Sequence, residues 1–155
     1  MRGFRTPPPS LVLAPAVGAR LDRAVVQWHV IPGERDSLMR FWLTLSDEPK
    51  TGARTFGFAV GENHNALYVV AEEPEEDADL GRYGRLEVRA AAPADPVTAV
   101  LGQRLVEIED VFRDGHPEVI AARLAFERTT LWVADIEEDL DWALGDFPER
   151  IVSLG

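Results

Sequence analysis

Acidic side chains are concentrated in two short segments of this 155-residue chain. Residues 72–79 contain six carboxylates, and residues 135–149 contain seven acids with no lysine or arginine. Such clusters are typical of solvated loops, of surfaces that attract a basic protein, or of sites for a hard divalent cation. We predict partner binding by Glu72, Glu73, Glu75, Glu76, Asp77, Asp79, Asp135, Glu137, Glu138, Asp139, Asp141 and Trp142.

The cation alternative has a weak sequence match in the second segment. Positions 1, 3, 5, 7 and 12 of a calcium-binding loop would be Asp135, Glu137, Asp139, Asp141 and Asp146. Position 6 is Leu140, where such loops need glycine, and position 12 is an aspartate instead of a bidentate glutamate. We therefore predict no metal site, and a divalent-metal-dependent hydrolase using the acidic clusters is kept as the alternative function.

The sequence contains no recognisable catalytic motif. His29, His64 and His116 are far apart and show no HxH or HExxH spacing. There is no cysteine, no serine in a Gly-x-Ser-x-Gly turn, and no glycine-rich phosphate loop. We predict no catalytic residue and no cofactor, and we expect that the protein is not an enzyme.

Charge and composition narrow the class of partner. The net charge of −11 gives the surface field the wrong sign for binding nucleic acid. Apolar residues make up 46% of the chain, yet no apolar run approaches the roughly 18 residues that a membrane span needs. We expect a soluble, cytoplasmic, single-domain protein that binds neither nucleic acid nor membrane.

An internal repeat organises the chain. Val-Gly-Ala-Arg-Leu at 17–21 resembles Leu-Gly-Gln-Arg-Leu at 101–105, and similar strand patterns follow each copy. The strand predicted at 131–134 matches the one at 66–72, and both lead into acidic segments. The predicted units are a proline-rich lead-in at 1–16, a first β repeat at 17–89, a linker at 90–100 and a second β repeat at 101–155.

Alternating apolar residues predict strands in both repeats. Asp114-Gly115 is the strongest hairpin signal. Helical spacing of apolar residues favours a short helix at 136–144, and a proline and a glycine favour a helical turn at 97–101. The predicted strands are 21–30, 38–46, 55–60, 66–72, 84–89, 104–112, 119–127, 131–134 and 150–154.

The fold class that follows is all-β or β-dominated α+β. Two diverged hairpin-containing units would pack as a pseudo-twofold sandwich or open barrel, with one or two short helices. The predicted core aromatics are Trp28, Phe41, Trp42, Phe126 and Trp132. The leading functional hypothesis is a non-catalytic binding module, inhibitor-like or immunity-like, that masks a basic protein. A homodimerisation module that uses exposed strand edges is the second alternative.

Overall fold

Two antiparallel β-sheets account for most of the structure, so the fold is β-dominated as predicted. The computed structural model describes residues 7–47, 52–61, 67–112, 114–115, 118–136 and 139–145. Its helix is α1 (Pro9–Leu13), and its strands are β1 (Arg20–Val30), β2 (Ser37–Asp47), β3 (Gly52–Val60), β4 (Leu67–Ala71), β5 (Ala78–Asp79), β6 (Arg85–Ala90), β7 (Leu105–Phe112), β8 (Val119–Phe126), β9 (Thr130–Ile136) and β10 (Asp139–Leu144). Short 3-10 helices occupy Ala14–Ala16, Gly81–Tyr83 and Pro96–Val100.

The strand orders show two antiparallel meanders. The six-stranded sheet has the order β4-β3-β2-β1-β6-β5, and the four-stranded sheet has the order β10-β9-β8-β7. The predicted hairpin signal lies between β7 and β8, where Gly115 adopts a φ of 75° that glycine tolerates without strain. The positions of eight predicted strands are thus confirmed to within a few residues at each end, and the ninth, at 150–154, lies outside the described residues.

The core lies between the inner faces of the two sheets. Successive side chains of a strand point to opposite faces, so one set of alternating residues from each strand enters this core. Alternate residues of β2 and β8 show this pattern, because six of their side chains belong to one buried cluster: Phe41, Leu43, Leu45, Ala122, Leu124 and Phe126. The predicted aromatics Trp42 and Trp132 are also buried, but neither belongs to this central cluster.

The two sheets meet where the repeated sequence motif pairs with itself. Segments 18–21 and 102–105 run antiparallel, centred on a bridge between Arg20 and Arg104. Four backbone hydrogen bonds join them: Gly18 N–H to Leu105 O and Gly102 N–H to Leu21 O, both 2.7 Å, and Leu105 N–H to Ala19 O and Leu21 N–H to Gln103 O, both 2.9 Å. The two motif copies therefore make equivalent contacts: the two 2.7 Å bonds correspond to each other when the copies are interchanged, and so do the two 2.9 Å bonds.

The strand order changes the alignment between the two predicted repeats. β9 is the third strand of its meander, so it takes the place of β3 and not of β4, with which its sequence was matched. β10 then takes the place of β4. The twofold relation between the complete halves stays a prediction.

The helix predicted at 136–144 is wrong. Residues 139–144 form β10, which pairs with β9 from Asp139 opposite Ile136 to Leu144 opposite Leu131. Leu140 and Trp142 enter the central core, and the Trp142 ring lies 4.5 Å from the ring of Phe41. Burial of these alternate side chains favours a strand over the helical spacing that the same residues also satisfy.

Short helical segments close the space between the sheets. The proline-rich stretch contains α1, a helix that was not expected from the sequence, and its Leu13 is fully buried. The turn predicted at 97–101 is present as the 3-10 helix Pro96–Val100, whose Val97 and Val100 are buried. Asp95 precedes it, but its carboxylate accepts a hydrogen bond from the Ala92 N–H (2.7 Å) and does not cap the helix.

Replacing Trp142 by alanine tests its place in the core. Loss of a buried aromatic side chain should lower the free energy of unfolding by about 3–5 kcal/mol, measured by urea denaturation. Leu144→Ala is the control on the same strand, because Leu144 is 40% exposed and should cost less than about 1 kcal/mol. Equal effects of the two substitutions would contradict the packing of Trp142 in the central core.

Candidate functional site

The first acidic segment crosses the outer face of the six-stranded sheet. Residues 72–79, named here the acidic strap, leave β4 at one edge of this sheet and reach β5 at the opposite edge. Gln27 and Trp42 alternate with the core residues Val26 and Phe41, so they face away from the core and towards the strap. The strap is therefore a crossover fixed along its length by the sheet beneath it.

Glu72 anchors the strap at its beginning. Its Oε2 atom accepts a hydrogen bond from the indole Nε1 of Trp42 (2.8 Å) and another from the guanidinium of Arg40 (3.0 Å). The same guanidinium donates to the hydroxyl of Tyr68 (3.2 Å). Trp42 is only 1% exposed, so Glu72 satisfies a donor that water reaches poorly.

Gly57 provides the room for this anchor. It lies opposite Trp42 in the β2–β3 pairing, directly beneath the Glu72 carboxylate. A Cβ atom at this position would lie 2.6 Å from Glu72 Oε2 and 2.9 Å from Trp42 Nε1. The absence of a side chain is therefore a requirement for Glu72 to reach the indole.

Three further strap carboxylates bind the sheet or the strap's own end. Glu75 accepts a hydrogen bond from the buried Gln27 amide (3.1 Å). Asp77 accepts one from the Val88 N–H (2.6 Å), and Asp79 accepts one from the Gly81 N–H (2.8 Å). These contacts extend the attachment of the strap from β2 to β6.

The two remaining carboxylates of the strap are free to contact another molecule. Glu73 and Glu76 are exposed, and neither forms a hydrogen bond or ion pair within the described part of the chain. A groove of about 430 Å³ beside the strap is lined by Glu73 and Glu75 of the strap and by Arg23 of β1 and Arg89 of β6. The exposed carboxylates Glu73 and Glu76 are thus the strap's free negative charges, and Glu73 also lines a groove that contains both charge signs.

The second acidic segment is built differently. Asp135 and Trp142 are buried, whereas Asp139 is exposed and Asp141 is partly exposed. Residues 137–138 and 146–149 lie outside the described residues, and they include the predicted Glu137 and Glu138. The repeat alignment predicted that this segment takes the place that the strap takes after β4. The segment belongs instead to the β9–β10 hairpin.

The described parts of the two acidic segments lie on different sheets. The strap lies on the outer face of the six-stranded sheet, while Asp139 and Asp141 alternate with core residues on the four-stranded sheet and face outward from it. The calcium-loop spacing is also interrupted, because Asp135 and Asp139 lie in separate strands. Within residues that the structure describes, no three histidine or acidic side chains are grouped in a way that could hold a metal ion.

The histidines give no catalytic grouping in the described structure. His29 lies on β1, and its Nε2 is 2.7 Å from the backbone oxygen of Tyr83, which ties β1 to the 3-10 helix before β6. His64 and His116 lie outside the described residues.

Sequence reasoning found the strap but missed the residues that hold it. Arg40 and Trp42 share the face of β2 opposite Phe41 and Leu43. A tryptophan on the face expected to be polar is a signal that something covers it, and the alternation of β2 contained that signal. Gly57 offered no comparable clue, because its role depends on which strand lies beside it.

No protein-family model, curated protein or solved structure matches the chain. Among the described residues, no helix has the length and apolar character needed to cross a membrane.

Removing the anchor should loosen the strap. Glu72→Ala leaves the buried indole N–H without an acceptor and should lower the free energy of unfolding by about 1–3 kcal/mol in urea denaturation. Glu73→Ala, one residue along the strap, should change it by less than about 0.5 kcal/mol. Equal costs at the two positions would show that the contacts of Glu72 do not stabilise the fold.

Gly57→Ala tests the same anchor from the other side. The added methyl group displaces the Glu72 carboxylate, so the substitution should destabilise the protein although alanine suits a strand interior better than glycine. Much of that cost should disappear in a Glu72→Ala background, because the displaced contact is already lost. Strictly additive free energies in this double-mutant cycle would contradict the steric account.

Proposed function

We propose that this protein is a non-catalytic binding module whose acidic strap masks a basic protein partner, as an inhibitor or immunity-type protein does. The observation that carries the proposal is that the strap contains two kinds of carboxylate, those that anchor it and those that are exposed. Glu72, Glu75 and Asp77 hold it against the sheet, whereas Glu73 and Glu76 are exposed and bond to none of the residues that the structure describes.

Fixing the strap lowers the cost of binding. A flexible acidic loop loses conformational freedom when a partner orders it, which costs free energy for each immobilised side chain. The strap is already ordered by donors from β1, β2 and β6, so less of that cost remains. Pre-organised carboxylates can then meet lysine and arginine side chains with little rearrangement.

The overall charge favours the same class of partner. With a net charge of −11, the protein attracts a basic macromolecule from a distance, and this speeds encounter in a way that salt suppresses. The exposed carboxylates beside the groove would supply the short-range contacts once the partner has arrived.

Binding explains the strap better than acid–base chemistry does. The strap carboxylates that lie closest to other functional groups already accept hydrogen bonds from Trp42, Arg40 and Gln27. Those bonds hold the carboxylates against the sheet, which is a structural role. Glu73 and Glu76 stand in open solvent, which suits an ion pair at the rim of an interface.

The test is affinity capture with matched charge-reversal variants. The intact protein should retain a basic partner from its host lysate at low salt and release it at high salt. Glu73→Lys combined with Glu76→Lys should reduce capture of that partner by about tenfold or more. The variant keeps all the anchoring contacts, so its stability should be close to that of the wild type.

The control carries the same change in charge outside the strap, at the turn between β1 and β2. Glu34→Lys with Asp36→Lys alters exposed residues between β1 and β2 and should leave most of the capture intact. If both double variants lose the partner equally, only the net charge matters and the strap is not the binding surface. Capture that is insensitive to salt and to the strap substitutions would refute the proposal.

A further inference from the structure

β1 and β7 are equivalent strands in their local geometry. The pairing of β1 with β2 shifts register between Leu21 and Arg23, and again between Gln27 and Trp28. The pairing of β7 with β8 shifts between Leu105 and Glu107, and again between Val111 and Phe112. When the two motif copies are superposed in sequence, both irregularities fall at the same places. Val26 therefore corresponds to Asp110, and Trp28 corresponds to Phe112.

The edge of β1 that does not pair with β2 is covered by β6, whereas the corresponding edge of β7 is not covered by any described strand. β6 pairs antiparallel with β1 from Val25 opposite Ala90 to Val30 opposite Arg85. β7 is the terminal strand of its sheet within the described portion of the chain. Residues 109–112 therefore have an edge equivalent to the edge of β1 with which β6 pairs.

The pairing of β6 shows which chemistry such an edge accepts. Arg89 lies opposite Val26, and its guanidinium carbon is 5.6 Å from the centre of the Trp28 ring. At the equivalent positions β7 offers the Asp110 carboxylate and the ring of Phe112, which is 49% exposed. An arginine in the same place on an incoming strand would meet a negative charge and an aromatic face together.

The remaining edge residues also favour a basic segment. Glu107 and Glu109 are exposed on β7, and Glu109 forms an ion pair with Arg123 of the neighbouring strand (3.1 Å). Asp110 already accepts hydrogen bonds from Ser10 of α1, which holds its carboxylate in place. A second copy of β7 would bring like charges together, so self-pairing along this edge is disfavoured.

We propose that the edge of β7 at residues 109–112 binds an extended, arginine-containing segment of a partner protein as an added antiparallel strand. This inference rests on the proposed binding function and supplies the mode by which part of the partner docks. Backbone hydrogen bonds give affinity in such strand addition, and alternate side chains give specificity. The required pattern is that of β6, in which Arg85 and Arg89 lie four residues apart on one face of the strand with Glu87 between them.

A peptide with the sequence of residues 84–91, Gly-Arg-Leu-Glu-Val-Arg-Ala-Ala, is the direct probe. Fluorescence anisotropy with the labelled peptide and the intact protein should show saturable binding. A peptide with alanine in place of the arginine equivalent to Arg89 should bind about tenfold more weakly.

Two matched substitutions on β7 locate the site. Phe112→Lys removes the aromatic face and adds a positive charge, and it should weaken peptide binding by about tenfold or more. Val106→Lys is the control, because Val106 is 55% exposed on the same strand but lies before the edge in question. It should leave peptide binding unchanged, and thermal unfolding should show both variants folded.

Three results would overturn the inference: no binding of the peptide, equal effects of the two β7 substitutions, or binding that requires removal of residues 146–155. The last result would mean that the chain itself already covers this edge. Strap variants separate this inference from the proposed function. If Glu73→Lys with Glu76→Lys abolishes partner capture while the peptide still binds, the edge site stands without depending on the strap. If the peptide fails and capture persists, only the edge site is lost.

Discussion

The antiparallel pairing of segments 18–21 and 102–105 is the contact that sets the two sheets against each other. It joins the beginnings of β1 and β7, and beyond it β1 pairs with β6 instead. The apolar faces of both sheets then share one core, which includes Phe41 and Trp142. Once these inner faces are fixed, the opposite faces are fixed as well, so Arg40 and Trp42 must lie outside the central core.

That constraint explains why the acidic strap is needed structurally. Trp42 is large and buried on an outer face, and its indole N–H requires an acceptor there. Glu72 supplies the acceptor, Arg40 balances the charge, and Gly57 leaves the space. A segment that looks in sequence like a uniform run of acids thus contains two kinds of residue, those that hold the fold and those that face solvent.

The alternating residues predicted most of the strands because each strand buries one face. They did not decide the state of residues 136–144, where Leu140, Trp142 and Leu144 satisfy a strand while Ile136, Leu140 and Leu144 satisfy a helix. The strand allows Trp142 to pack against the ring of Phe41, a residue that is distant in sequence. The individual roles of the strap carboxylates were equally hidden, since Glu72 and Glu73 are adjacent and identical in type. Their different roles depend on which of them contacts the sheet beneath the strap.

Hydrogen–deuterium exchange of the protein alone and saturated with its captured basic partner tests the central claim most directly. Backbone amides of residues 72–79 should gain protection in the complex at low salt and lose it when salt disrupts the ion pairs. Protection that spares residues 72–79 and appears on another face would contradict the account, because the acidic strap would then be a structural element and not the binding surface.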